Sequence, residues 1–119
     1  MKARVLYVDD EVINTFVFSK SYENDFDITT ARSGEEAIAK LKDERFDVLV
    51  TDMRMPGMTG LDLVKKAKEM NADLPCFIIS GYPYDDEIQK AMDDKLLLAF
   101  FSKPYDSTTV LNALKEAVA

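Results

Sequence analysis

Four short apolar runs, each halting on a polar residue, and one short alternating segment are interleaved along this chain with five helical patterns, and that alternation restricts the fold more than any other feature. The run over 3–8 stops at Asp9-Asp10-Glu11. The segment Phe26-Asp27-Ile28-Thr29-Thr30 alternates and reads as a short strand. The run over 46–51 carries Val48, Leu49 and Val50 in succession and gives way to Asp52. After Pro75, the run over 76–79 ends at Ser80-Gly81, and the one over 96–101 closes on Ser102-Lys103-Pro104. Unbroken apolar runs of this length describe strands buried on both faces.

The intervening segments read as helices. The first is expected over 11–22, with Val12, Ile13, Phe16 and Val17 spaced as on one helical face, the pattern of an apolar stripe. Ser33 with Glu36, and Thr59 with Asp62, have the spacing of reciprocal helix caps. Ala37, Ile38 and Leu41 line the second helix, and Leu61, Leu63, Val64 and Ala67 the third. A shorter polar helix is expected over about 84–93. Asp106 or Ser107 caps the last, where Val110, Leu111, Leu114 and Val118 face inward. Pro56-Gly57 marks a turn between the third strand and third helix. Strict alternation with short loops predicts an α/β fold, a parallel five-stranded sheet with helices on both faces. With 119 residues the chain suits one domain, 1–119, with no second domain beside it.

Charge and composition narrow the chemistry. Acidic residues number 22 against 15 basic, a formal charge of -7, which disfavours direct binding to nucleic acid. There is no His, and Cys76 is the only cysteine, so disulfide frameworks and cysteine or imidazole metal centres are excluded. Neither a signal peptide nor a membrane-spanning run is apparent, which predicts a cytoplasmic domain without membrane partners. Any bound metal should be a hard cation held by oxygen.

In open α/β sheets ligands collect beyond the carboxyl ends of the strands. Asp9, Asp10, Asp52, Ser80 and Lys103 all fall there. If the first and third strands are neighbours, three carboxylates converge. Their mutual repulsion calls for a cation or a lysine, and Mg²⁺ accepts hard oxygen ligands while keeping positions for water and phosphate.

The motifs Val8-Asp9-Asp10-Glu11, Asp52-Met53-Arg54-Met55-Pro56-Gly57-Met58-Thr59-Gly60, Ser80-Gly81 and Phe100-Phe101-Ser102-Lys103-Pro104 together resemble the receiver domain of two-component response regulators, over essentially the whole chain. The resemblance implies a doubly wound, flavodoxin-like sheet of order 2-1-3-4-5. It implies that Asp52 is the phosphoacceptor, attacking a phosphohistidine to form an aspartyl phosphate. Asp10 would bind Mg²⁺ (or Mn²⁺) directly and Asp9 directly or through water, with Asp52 and the Arg54 backbone carbonyl completing the protein ligands. Lys103 would pair with Asp52 and later with the phosphoryl oxygen. Ser80 would turn toward the new phosphoryl group and Phe100 would rotate as an aromatic switch, without the phenolic hydroxyl of a tyrosine. The Lys103–Pro104 bond is expected to be cis. Gly81 leaves room for phosphate, while Arg54 and Tyr82 flank it. Met53, Met55 and Met58 are expected to pack, since thioethers are soft ligands in a hard site.

By the same resemblance the phosphodonor is a sensor histidine kinase or a phosphotransfer domain, and the output is a domain or effector outside this chain. The surface formed by the fourth helix, fifth strand and fifth helix would report the switch and could support a homodimer. Leu96-Leu97-Leu98-Ala99, more apolar than the family's usual residues there, is a candidate partner face. Two other readings share the acidic cluster. One is a receiver-like interaction module that does not use phosphate; the other is a small Mg²⁺-dependent phosphohydrolase. The complete acidic triad with Ser80 and Lys103 argues against the first. The lack of a substrate-covering segment and of an evident general acid argues against the second.

Overall fold

A computed structural model describes residues 2–119. Five strands alternate with five helices: β1 Arg4–Val8, α1 Val12–Tyr22, β2 Asp27–Ala31, α2 Gly34–Asp43, β3 Val48–Asp52, α3 Gly60–Met70, β4 Cys76–Ser80, α4 Asp86–Asp93, β5 Ala99–Ser102 and α5 Ser107–Ala117. The sheet is parallel with order β2-β1-β3-β4-β5. The sequence-based expectation of fold class and strand order holds.

Alternate residues of each strand enter opposite halves of the core, as the pleat requires. Leu6, Val8, Leu49 and Ile78 pack with Ala37, Leu61, Val64, Ile88 and Ala91 of α2, α3 and α4. Val5, Tyr7, Val50, Phe77 and Ile79 pack with Phe18 and Tyr22 of α1 and Val110 and Leu114 of α5. Each fully buried aliphatic or aromatic side chain contributes about 1.5–3 kcal/mol of transfer free energy.

The helix starts follow the cap chemistry. The Ser33 hydroxyl accepts from the Glu36 N–H, Thr59 and Asp62 form a reciprocal capping box, and Asp85 and Asp106 cap α4 and α5. Gly60 opens α3 where its N–H donates to the Met53 carbonyl (2.8 Å), and a Cβ there would run into the Asp52 carbonyl oxygen. The absence of a side chain at 60 therefore lets α3 begin directly beneath the end of β3.

Two expectations are corrected. The stripe Val12, Ile13, Phe16 and Val17 does not face the sheet; these residues are 52, 73, 61 and 49% exposed. The buried face of α1 is Thr15, Phe18 and Tyr22. The reason lies on β1, where the Tyr7 ring stacks flat on Phe18 (centroids 4.0 Å apart, planes 5° apart) and Tyr22 meets Phe18 edge-on. Such aromatic pairs stabilise beyond their area burial, and Thr15 satisfies its hydroxyl on the Val12 carbonyl.

The fifth strand is also shorter than expected, beginning at Ala99 rather than 96. Lys95 takes a left-handed conformation (φ 62°) and ends α4 with its N–H on the Met92 carbonyl and the Leu96 N–H on the Ala91 carbonyl. These paired bonds close the helix in the usual αL manner, leaving 96–98 as a connector with Leu97 buried and Leu98 56% exposed. A Cβ is disfavoured at left-handed φ, so Lys95→Gly should stabilise the fold by about 0.5–1 kcal/mol. The check is a higher urea midpoint at unchanged slope.

Candidate functional site

Strand register assembles the site. Val8 lies opposite Thr51, so Asp9 and Asp52, one step further along β1 and β3, come side by side. Asp52 pairs with Ile79, which brings Ser80 to the next position on β4. Ser80 pairs with Ser102, and the Lys103 N–H donates to the Ser80 carbonyl (2.8 Å), fixing the lysine at the same rim. The Lys103–Pro104 peptide is cis.

Asp9, Asp10 and Asp52 each offer a carboxylate oxygen, all within 4.8 Å of one another. Asp9 is wholly buried, Asp52 nearly so, and Asp10 half-buried. Lys103 Nζ stands 3.3 Å from Asp52 Oδ1 and 3.5 Å from Asp9 Oδ2. Asp52 Oδ1 also accepts from its neighbour's N–H, on Met53 (3.0 Å). The cluster is an all-oxygen donor set with no soft ligand in it. Met55 is buried in the core and Met53 and Met58 pack against it. Such a set suits a hard divalent cation.

Electrostatics reflect this crowding. Burial, then the Asp9 charge, push the Asp52 carboxyl above its ordinary value, and Lys103 offsets this only in part. For Lys103, burial works against the charged form, but Asp52 and Asp9 outweigh it and the ammonium is held more tightly than usual. The Cys76 thiol, pushed up to about 12 by burial, is inert.

The remaining expected residues occupy the rim. Ser80 is buried, and its Oγ accepts from the Tyr82 N–H (3.0 Å). Arg54 lies over the Tyr82 ring, 4.3 Å from its centroid, and both are exposed. No Cβ obstruction exists at Gly81. Phe100 is half-buried and meets Tyr84 edge-on (5.4 Å, 89°).

One residue of the site escapes a reading by motif. Tyr7 lies within an apolar run and looks like core, yet its hydroxyl donates to Asp9 Oδ2 (2.9 Å) in a buried setting. Burial first, and then Asp9, raise its pKa far beyond the ordinary phenol value, so it remains a protonated donor. The available signal was the two-residue spacing to Asp9, which puts both side chains on one side of an extended chain.

The chain belongs to the response regulator receiver domain family, whose sequence profile matches residues 5–115. It is similar to the hydrogenase transcriptional regulatory protein HoxA of Cupriavidus necator, 28% identical over 98% of this chain and 24% of that protein. It is also similar to sporulation initiation phosphotransferase F of Bacillus subtilis, 29% identical over 98% of this chain and 94% of that one. The chain thus spans about a quarter of the first relative's length and nearly all of the second's. Among solved structures, the Vibrio cholerae chemotaxis protein CheY4 is 27% identical and superposes with a TM-score of 0.88, covering 98% of this chain and 99% of that one. Family membership and the acidic cluster make this chain a phosphoacceptor module of two-component signalling. Among the described residues no helix is long and apolar enough to cross a membrane.

The raised Asp52 pKa has a consequence for stability. Relative to the unfolded chain, the native state favours protonated Asp52. That contribution is complete below the ordinary carboxylate pKa and is lost as pH rises through the elevated folded value. Without divalent cation, Asp52→Asn should therefore raise the melting temperature by a few degrees at neutral pH. The gain should disappear in acid, below the ordinary carboxylate pKa, as thermal scans across pH would register.

Proposed function

We propose that Asp52 is the phosphoacceptor, that Asp9, Asp10, Asp52 and the Arg54 backbone carbonyl hold Mg²⁺ (Mn²⁺ being the alternative), and that the donor is the phosphohistidine of a partner kinase or phosphotransfer domain. The observation that carries this reading is the convergence of three carboxylate oxygens within 4.8 Å, with Lys103 Nζ 3.3 Å from Asp52. The absence of His from the chain accords with a donor imidazole supplied by a partner.

Asp52 Oδ attacks phosphorus, the P–N bond to the donor imidazole breaks, and the imidazole leaves with the bonding pair. Bound Mg²⁺ would supply Lewis-acid neutralisation of phosphoryl oxygens. Lys103 carries the second positive charge, a mobile ammonium able to move from the carboxylate to a phosphoryl oxygen. The Ser80 hydroxyl can turn from the Tyr82 N–H toward that oxygen. Gly81 leaves space, and Arg54 stacked on Tyr82 forms the solvent-facing rim. The new group adds about -1.5 to -2 charges. Its pull on Ser80 frees room for Phe100 to turn inward from Tyr84, which changes the surface of α4, β5 and α5. That surface includes Leu98 and is the proposed site of effector contact or homodimer formation.

The exposed stripe Val12, Ile13, Phe16 and Val17 supports a protein donor. It follows directly on Asp9-Asp10-Glu11, so an apolar surface borders the acidic site. Contiguous exposed apolar residues mark interaction surfaces.

Intact mass after incubation with Mg²⁺ and a small acyl phosphate should show one added phosphoryl group on the parent and none on Asp52→Asn. Equal labelling of the variant would sink the assignment. For the donor surface, Ile13→Ser should leave stability within about 0.5 kcal/mol, as surface substitutions generally do, and leave acyl phosphate labelling unchanged. Transfer from the phosphorylated protein donor should slow about ten-fold, equivalent to about 1.4 kcal/mol. Radiolabel transfer kinetics would measure it, and an unchanged rate would move the donor contact elsewhere.

A further inference from the structure

We infer that Tyr7 is a positioning residue of the acidic site: its phenol orients the buried Asp9 carboxylate for the cation and keeps Lys103 from being captured by it. The inference rests on the reading of Asp9 and Asp10 as cation ligands.

A carboxylate with no solvent exposure needs donors, and the structure supplies three. The Glu11 N–H donates to Asp9 Oδ1 at 3.0 Å, and the Tyr7 hydroxyl donates to Oδ2 at 2.9 Å. Lys103 also reaches Oδ2, at 3.5 Å, the long edge of a hydrogen bond. The neutral phenol holds the near position on Oδ2 and the ammonium stands back from it. Lys103 consequently sits slightly closer to Asp52, at 3.3 Å. With both Asp9 oxygens tied to groups on β1 and at the start of α1, the plane of the carboxylate is set by the protein.

The phenol is itself held firmly. Its ring is buried and stacked on Phe18, so the hydroxyl has no freedom to swing away. No charge is brought in with the donor, so the cluster keeps its full attraction for a divalent cation. An ammonium placed directly on Asp9 would cancel part of that attraction and would be withdrawn from Asp52. Outer hydrogen-bond partners of metal-binding carboxylates typically account for 10–100-fold in affinity.

Tyr7→Phe keeps the ring and its stack and removes only the donor. Mg²⁺ affinity, measured by calorimetry or by the Mg²⁺-dependent rise in melting temperature, should weaken about ten-fold, the low end of that range. Tyr22→Phe is the control, because the Tyr22 hydroxyl makes a comparable bond to the Ser107 carbonyl (3.0 Å) away from the carboxylates. It should cost stability and leave Mg²⁺ affinity unchanged. Asp10→Asn separates the two levels of the reading. If it loses Mg²⁺ binding while Tyr7→Phe binds within two-fold of the parent, the role of Tyr7 is overturned and the cation site stands. If Asp10→Asn binds Mg²⁺ as the parent does, the cation site and the role of Tyr7 fall together.

Discussion

Three carboxylates meet at the end of a parallel sheet, two of them buried, and their mutual repulsion is the constraint around which the rest of this protein is arranged. Nothing in hydrophobic burial favours such a gathering. It persists because β1 and β3 are neighbours in a register that leaves Asp9 and Asp52 no other place, and because Lys103 is delivered to the same rim by β5. Removing Lys103 from this cluster would leave the buried carboxylates uncompensated. The site is therefore poised, with one lysine set against three acids and an unmet demand for further positive charge.

That demand links fold to function. A buried, partly neutralised carboxylate favours its protonated form, and under the proposed function a bound cation would supply the missing positive charge. The surrounding parts are built close to it: Gly60 allows α3 to start against the backbone of Asp52, the Ser80 hydroxyl accepts from the Tyr82 N–H, and Tyr7 gives Asp9 a neutral donor. Phe100 of β5 meets Tyr84, just ahead of α4, edge-on; under the proposed switch a change at Ser80 would reach the outer face through this pair.

Much of this was legible in order of residues. Asp9-Asp10, Asp52, Ser80 and Lys103 each stand where an apolar run stops, and ends of buried parallel strands are where ligands bind. The caps Ser33, Thr59 and Asp106 announced their helices. What failed was the choice of buried face on α1, because Val12, Ile13, Phe16 and Val17 form an apolar stripe as convincing as the true one. Periodicity reports that a helix has an apolar face but not which face meets the sheet. The aromatic partner on β1 made that choice. The extent of β5 failed for a similar reason: Leu96 to Leu98 have strand-like composition, but the left-handed turn at Lys95 places them in a connector.

By itself the sequence determined the alternation of strands and helices, the parallel sheet, the identity of the acidic residues and the exclusion of imidazole or thiolate chemistry, since all of these depend on residue type and local spacing. Only the tertiary structure decided which side chains share a charge. The division of Lys103 between two carboxylates and the outward turn of the α1 stripe follow from packing between elements distant in the chain. Hydrogen bonds and ion pairs act over a few ångströms, and which groups come that close is a property of the assembled sheet.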